Sequence, residues 1–236
     1  MNKQGFAAMA MSVLAAASIL TASGCAPLIV GGAAVTAGAT VSTITDRRSA
    51  GAIVNDNVLE KRVSWEISQA LGRDIDSHIT VTAYNGKILL TGEIATEQGR
   101  RIAGETAERS LDVASVVNEL AVMENAGLMQ RMGDSSLATK VRSRMVGNEN
   151  VYLSQMKVVV DRDIVYLMGI VTPEENARAL NVAATTSGVA RVISVCDIMS
   201  AERIAQRMRD IQRENEASQT SGQGAQGEMV EPQQVY

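Results

Sequence analysis

The chain has 236 residues and a formal net charge of −4, and 46% of its residues are hydrophobic but only 3% aromatic. This length accommodates one or two domains. The acidic balance argues against bulk nucleic-acid binding, which needs clustered Lys and Arg to neutralise phosphates.

The N-terminus has the layout of a secretory leader. Lys3 precedes an apolar run at residues 6–20, and three small residues, 22–24, stand directly before Cys25. The apolar run is too short to span a membrane. Because a lipobox requires a cysteine at this position, the segment resembles a lipoprotein signal. We expect residues 1–24 to be removed as a signal peptide and Cys25 to carry lipid, including palmitate; the alternative is an ordinary signal peptide followed by an accidental cysteine.

Residues 25–45 form the next segment, which is small-residue-rich and uncharged. Its Gly and Thr content predicts a lipidated tether rather than a second membrane span. Several acyl chains on Cys25 would anchor the protein stably, whereas a single chain binds only marginally. Ala26, and not Asp, follows the cysteine. By resemblance to the sorting rule of bacterial lipoproteins, this implies a lipid-anchored protein on the periplasmic face of the outer membrane.

An internal repeat occupies most of the remaining chain. The first copy spans about residues 58–123 and the second about 137–199, and four blocks recur in the same order at an offset near 77 residues. The paired blocks are 59–63 with 137–141, 79–83 with 156–160, 88–92 with 165–169, and 113–117 with 189–193. Four matches in one order predict two copies of a single fold.

Each copy predicts the element order α-β-β-α-β. The first helix of the first copy carries an apolar stripe of Leu59, Val63, Ile67, Ala70 and Leu71. Asp56 or Asn57 is its expected cap. Asn85 and Gly86 lie between two alternating segments and predict a hairpin, because both turn residues need positive φ.

The second copy adds signals for the ends of its second helix. Thr172 and Glu175 predict a capping box with Pro173 in the first turn, and Gly188 is the expected C-cap. A β-branched strand follows. The predicted fold class is α+β, with two tandem domains that each pack a three-stranded mixed sheet on two helices.

Together these residues resemble the BON domain, and the mature chain resembles the dual-BON periplasmic lipoproteins of Gram-negative outer membranes. The matching pieces are residues 46–51, 81–87, 139–143 and 167–172. The resemblance implies BON domains at about 46–124 and 134–199 and a role in outer-membrane integrity. It also implies contact between the second domain and an anionic phospholipid such as phosphatidylglycerol or cardiolipin.

The sequence contains no catalytic constellation, phosphate-binding loop or nucleophile motif, which indicates a protein that is not an enzyme and uses no cofactor. His78 is the only histidine and has no second ligand for a metal site. Once Cys25 carries lipid, Cys196 is the only thiol left. Its apolar neighbours predict a buried structural residue.

The first helix of the second copy carries the predicted lipid contact. Val141 and Met145 lie on its core stripe, and basic residues lie beside that stripe. Cations next to apolar residues can rest on an anionic bilayer, with about 1 kcal/mol for each basic residue near the headgroups. The resemblance favours this interpretation over a solvated basic face. The predicted contact residues are Ser136, Leu137, Lys140, Arg144 and Val146.

Aromatic residues are missing from the start of that helix, where the resemblance leads us to expect an exposed wedge and the sequence has Ser136. The only tryptophan, Trp65, lies instead on the first helix of the first copy, off its core stripe. We expect Trp65 to be half-buried by packing; the alternative is an interfacial anchor.

The sheet of the second copy is apolar on both faces. Val158 and Leu167 fill one face, while Val159, Tyr166 and Met168 point to the other. Helices on one side would leave the second face exposed. We therefore expect it to pack on the first copy's sheet. The predicted interdomain residues are Tyr84, Val159, Tyr166 and Met168.

The C-terminal region predicts a helix over residues 200–215, because Ile204, Met208 and Ile211 have helical spacing. It is either a partner-binding or membrane-surface helix or a solvated terminal helix. Residues 216–236 are polar and predict a disordered tail.

Two functions follow from these predictions. The first is a non-enzymatic outer-membrane lipoprotein that binds anionic phospholipid through its second domain and supports envelope integrity. The alternative is a protein-interaction adaptor of an envelope assembly, which grips envelope proteins and touches the membrane only through Cys25. Neither function involves nucleic acid.

Overall fold

The computed structural model describes residues 46–72, 75–148 and 151–224, the last seven as backbone only. The predicted leader, the predicted tether with Cys25, and the chain beyond residue 224 lie outside the described residues. Ser42–Tyr236 forms one compact unit.

The first domain consists of two helices and four strands. They are α1 (Ala50–Leu71), β1 (Ser77–Tyr84), β2 (Lys87–Ile94), α2 (Glu97–Arg109), β3 (Ser115–Asn118) and β4 (Ala121–Val122). The second domain repeats this order as α3 (Leu128–Val146), β5 (Met156–Asp161), β6 (Ile164–Val171), α4 (Pro173–Ala184), β7 (Arg191–Ser194) and β8 (Asp197–Ile198), with a one-turn 3-10 helix, Leu153–Gln155, before β5. A last helix, α5 (Ala201–Gly224), follows.

Both sheets have the same pairing. β1 is antiparallel to β2, and β3 and β4 both run parallel to β2, so these short strands form one interrupted edge. β5 to β8 repeat the pattern. Val81 pairs with Leu90 in the first sheet and Val158 pairs with Leu167 in the second, so the register is repeated too. The α+β fold class and the mixed sheets are confirmed.

A buried aspartate holds the hairpin turn of the first domain. Asp56 is only 1% exposed and accepts hydrogen bonds from the backbone N–H groups of Asn85 (2.7 Å) and Gly86 (2.9 Å). Both turn residues have positive φ, as the sequence predicted. The carboxylate also accepts from Arg48 Nη1 at 2.8 Å. One side chain thus joins α1, the hairpin and the segment before α1.

The second domain uses the same arrangement without glycine. Asp134 of α3 accepts from the backbone N–H groups of Arg162 (3.1 Å) and Asp163 (3.0 Å), and both turn residues again have positive φ. That backbone conformation costs roughly 1–2 kcal/mol for each non-glycine residue. Hydrogen bonds to the buried carboxylate offset this cost.

Two predicted ends of helices are wrong. Neither Asp56 nor Asn57 caps α1, because the helix begins at Ala50 and Ser49 Oγ accepts from the N–H of Ala52 (3.2 Å). Gly188 does not cap α4, which ends at Ala184 and is followed by the C-cap Thr185. The predicted capping box of Thr172 and Glu175 is present.

Two helices are also longer than predicted. α3 begins at Leu128, six residues before the predicted domain boundary, so Ser136 lies in the third turn and not at the helix start. α5 continues to Gly224, beyond the predicted end at residue 215 and into the predicted tail. The added turns lie outside the apolar stripes that face the core, so core periodicity did not predict them.

Each domain has a core between its helices and one face of its sheet. The first core includes Leu59, Val63, Ile67, Ile88 and Leu90, and the second includes Val141, Met145, Val158, Val165 and Leu167. Each such side chain contributes about 1.5–3 kcal/mol when fully buried. Ala70, which was predicted to lie on the core stripe, is exposed.

A third apolar cluster fills the space between the two domains. It contains Tyr84, Leu89, Tyr166, Met168, Ile170, Val195 and Ile204. The strand residues among them lie on the sheet faces opposite to the helices. The layers therefore follow the order helices, sheet, sheet, helices. As a result α1 and α3 lie on opposite sides of the molecule.

Candidate membrane-binding surface

The solvent side of α3 presents four large apolar residues. Leu128, Met129, Met132 and Val146 are between 59% and 81% exposed. Three of them stand in the first two turns of the helix, which the sequence analysis assigned to the interdomain linker. Extended apolar exposure on a soluble domain is typical of a binding surface.

The charges of α3 are all of one sign at its surface. Lys140, Arg142 and Arg144 are exposed, and Arg131 is partly exposed. The helix is described along its whole length, and its one acidic residue, Asp134, is buried against the hairpin. In a chain with a net charge of −4, this helix therefore presents cations and apolar groups without a competing carboxylate.

Each of the three exposed cations is oriented by a backbone carbonyl. Lys140 Nζ donates to Ser187 O at 3.0 Å, and Arg144 donates to Thr185 O, both in the turn after α4. Arg142 Nη2 donates to a carbonyl of β5 at 2.6 Å. Arg144 also donates to the hydroxyls of Thr185 and Thr186 at 3.3 and 3.4 Å. Because an ammonium group has three donors and a guanidinium group has five, donors remain for an anion. The contacts hold the charges near the helix surface.

The predicted lipid-contact residues fall into two groups. Ser136, Lys140, Arg144 and Val146 are exposed on α3. Leu137 is buried in the core of the second domain, so its predicted contact with lipid is corrected. Leu128, Met129 and Met132 also lie on this surface and were not predicted from the sequence. Met129 and Met132 are three residues apart, and this spacing is typical of one face of a helix.

The predicted interdomain residues meet in the third cluster. Tyr84, Tyr166 and Met168 are buried there, and Val159 packs against them. Tyr84 Oη donates to Gln155 O at 3.0 Å, and the Arg48 guanidinium stacks 4.1 Å above the Tyr84 ring. Burial raises the pKa of both tyrosines to about 12.

Polar contacts at the edges of the cluster fix the two domains together. Arg47 forms a bidentate ion pair with Glu175 (2.6 and 2.8 Å), which lowers the pKa of that carboxyl. Lys157 Nζ lies 2.8 Å from Glu60 Oε1. Lys87 Nζ lies 2.7 Å from a carboxylate oxygen of β8.

The last helix packs on this same junction. Ile204 and Ile211 of α5 are buried, and Arg207 donates to Asn85 Oδ1 at 2.7 Å. The apolar stripe of α5 is therefore covered by the protein's own domains. The polar side of α5 is exposed, and its predicted roles, a partner-binding or membrane-surface helix or a solvated terminal helix, stay predictions.

Comparison with known proteins identifies the fold. The sequence profile of the BON domain matches residues 55–124 and 133–198. The chain belongs to the BON-domain family. This agrees with the two structural repeats.

Relatives with longer matches exist among characterised proteins. The chain is 30% identical over 185 residues to the outer membrane lipoprotein DolP of Haemophilus influenzae, covering 78% of this chain and 93% of DolP. It is 35% identical over 150 residues to a 21 kDa hemolysin of Actinobacillus pleuropneumoniae, covering 64% of this chain and 77% of the hemolysin. A solved structure of CdsD from Chlamydia trachomatis aligns with a TM-score of 0.27 at 9% identity, over 61% of this chain and 96% of that one. That last likeness carries no argument.

BON domain 1 presents an aromatic residue where packing was expected. Trp65 is 63% exposed on α1, so the expectation of half-burial is wrong. The ring lies on the side of the helix opposite to Leu59 and Val63, which enter the core.

The described residues include one histidine, His78, and one cysteine, Cys196. Within residues 46–72, 75–148 and 151–217, no group of three His, Cys, Asp or Glu side chains could hold a metal ion. His78 is exposed in β1. Burial raises the pKa of the Cys196 thiol to about 11, and Sγ lies 3.3 Å from Leu167 O. This thiol is protonated at neutral pH and therefore a weak nucleophile. Among the helices described, none has the length and apolar character needed to cross a membrane.

Proposed function

We propose that the protein is a non-enzymatic lipoprotein of the outer membrane, held at the periplasmic face by acyl chains on Cys25. Its second BON domain binds anionic phospholipid through the solvent side of α3, and this binding supports envelope integrity. The observation that carries the proposal is the surface of α3, where apolar residues and cations are exposed and the only carboxylate is buried. The relationship to an outer membrane lipoprotein supports the anchor and the location.

The acyl anchor and the α3 helix would contribute to membrane binding in different ways. Acyl chains with a second membrane contact give stable residence at a bilayer. A helix that lies on the surface adds apolar burial and about 1 kcal/mol for each basic residue near anionic headgroups. We propose Ser136, Lys140, Arg144 and Val146 as contact residues. The exposed side chains Leu128, Met129 and Met132 join them.

Vesicle flotation tests this proposal without the acyl anchor. Ser42–Tyr236 is one compact unit and contains all three apolar clusters, so this segment can be used alone. It should float with vesicles that contain phosphatidylglycerol and stay behind with pure phosphatidylcholine. Lys140→Glu plus Arg144→Glu should lower the partition coefficient, because it reverses two charges worth about 1 kcal/mol each and so weakens the contact of α3 itself about tenfold or more.

A matched control separates the site from net charge. Arg101→Glu plus Arg109→Glu changes the net charge equally on α2, where both side chains are exposed and lie 3.7 and 3.4 Å from Glu105. This variant should keep most of the binding. Equal losses in the two variants would contradict a site on α3. Failure to float on any anionic vesicle would contradict lipid binding and favour an adaptor of envelope proteins.

A further inference from the structure

The solvent side of α1 carries a second apolar surface in BON domain 1. Val54, Val58 and Trp65 are 63%, 45% and 63% exposed, and their spacing puts them on one face of the helix together with Lys61. We call these four residues the α1 face. None of the three apolar clusters includes them. Folding therefore does not explain why they are apolar.

The charges around the α1 face also favour an anionic partner. The helix is described in full, and Lys61 is the only charged residue among its exposed positions. Two of its three carboxylates are withdrawn: Asp56 is buried, and Glu60 accepts hydrogen bonds from the backbone N–H of Ala83 (2.9 Å) and from Lys157. Glu66 is only partly exposed.

One exposed carboxylate lies near the edge of this face and is partly neutralised. Asp112, in the turn after α2, stands 3.7 Å from Arg62 of α1. Beside it Leu111 is 70% exposed, which extends the apolar surface. A convex helix face with apolar side chains, a tryptophan and a cation suits a bilayer interface, where the indole ring lies at headgroup level.

We propose that the α1 face is a second docking surface for anionic lipid bilayers, independent of α3. The two surfaces belong to helical layers on opposite sides of the molecule. Each surface faces solvent in its own domain, so either one can contact a bilayer without the other. This inference goes beyond the proposed function, which requires α3 only.

Trp65 is the only tryptophan of the chain and reports directly on this face. With vesicles containing phosphatidylglycerol, the emission of Ser42–Tyr236 should shift to shorter wavelength. Quenching by acrylamide should fall at least about twofold, because a ring at headgroup level is shielded from an aqueous quencher. Vesicles of phosphatidylcholine alone should leave both signals unchanged.

Two variants separate the α1 face from α3. Val54→Ser plus Val58→Ser removes exposed apolar groups and keeps the probe, so it should lose the emission shift. Lys140→Glu plus Arg144→Glu should keep the shift although it binds less strongly by flotation. The native far-ultraviolet circular dichroism of both variants verifies their folding.

The proposal and the function assigned to α3 can fail separately. Flotation of the native segment with unchanged Trp65 emission and quenching would overturn the α1 face and leave α3 intact; the face would then belong to a protein partner. Loss of the Trp65 shift in the α3 variant would also overturn an independent surface. Absence of both flotation and shift would overturn both assignments.

Discussion

The two BON domains share their topology and register but differ at two places. In the hairpin, Asp56 of the first domain binds Asn85 and Gly86 and also an arginine, whereas Asp134 of the second domain binds only the turn and, at 3.4 Å, Gln130. On the solvent side, α1 presents a tryptophan and one exposed cation, whereas α3 presents three exposed cations. The inner residues are alike because both domains build the same core and hairpin contacts, whereas the outer residues differ in charge and aromatic content.

A substitution at the junction between the domains should lower the stability of the protein most. Tyr166→Lys places an ammonium group at a fully buried position, where the cluster offers apolar neighbours. We expect the free energy of unfolding to fall by about 3 kcal/mol or more, because a buried unpaired charge is very costly. Urea denaturation followed by circular dichroism measures it.

A matched control is available in the same domain. Tyr152 is 49% exposed, so Tyr152→Lys should change the unfolding free energy by less than about 0.5 kcal/mol. If Tyr166→Lys were as stable as Tyr152→Lys, the domains would not share a core.

Removal of the hairpin aspartates should give a smaller effect that differs between the domains. Asp56→Ala leaves two backbone N–H groups and Nη1 of the largely buried Arg48 without this acceptor, while Arg48 keeps its bonds to Asp46, and should cost about 3 kcal/mol. Asp134→Ala leaves two backbone N–H groups, and should cost about 1–2 kcal/mol. Urea unfolding of both variants provides the comparison. A larger loss for Asp134→Ala would contradict the added role of Arg48.

High pH should weaken the junction gradually. The pKa of Tyr84 and Tyr166 is raised to about 12 by burial, whereas an exposed tyrosine ionises near pH 10. Between about pH 10 and 12 the unfolded chain releases protons that the folded chain retains, so stability is complete below pH 10 and falls as pH rises through this window.

Absorbance titration of the tyrosinates checks this prediction. Replacing the other two tyrosines by Tyr152→Phe and Tyr236→Phe leaves only Tyr84 and Tyr166 to titrate. The remaining absorbance change should be centred near pH 12. A midpoint near 10 in the folded protein would contradict their burial between the sheets.

Periodicity predicted the parts of the fold that are buried. Leu59, Val63 and Ile67 form a stripe that predicts the core side of α1. The strands of the second sheet are apolar on both faces, which predicts that the face with Tyr166 is covered as well. Helix ends were predicted less well, because Asp56 serves a distant hairpin and Ser49 caps the helix instead. The local sequence does not show whether an aspartate near a helix start will cap that helix or accept hydrogen bonds from a distant hairpin turn.

The candidate surface was only partly predictable for the same reason. Lys140 and Arg144 were recognised by their position beside the core stripe. Met129 and Met132 were missed because they precede the first core residue of α3, Leu137, by two turns. Only the structure shows that the helix extends back to Leu128 and that these side chains reach solvent.

The central claim, that the solvent side of α3 lies on an anionic bilayer, is tested most directly by spin labels on the bound protein. In Ser42–Tyr236 with Cys196→Ser, one label is placed by Met132→Cys and a control label by Arg109→Cys on α2. Val54→Ser plus Val58→Ser in the same chain removes any contribution of the α1 face. On phosphatidylglycerol vesicles, we predict that the label at position 132 becomes accessible to oxygen and shielded from an aqueous nickel reagent, while the label at position 109 stays in water. A bound protein whose label at position 132 remains as accessible to nickel as the control would contradict the account.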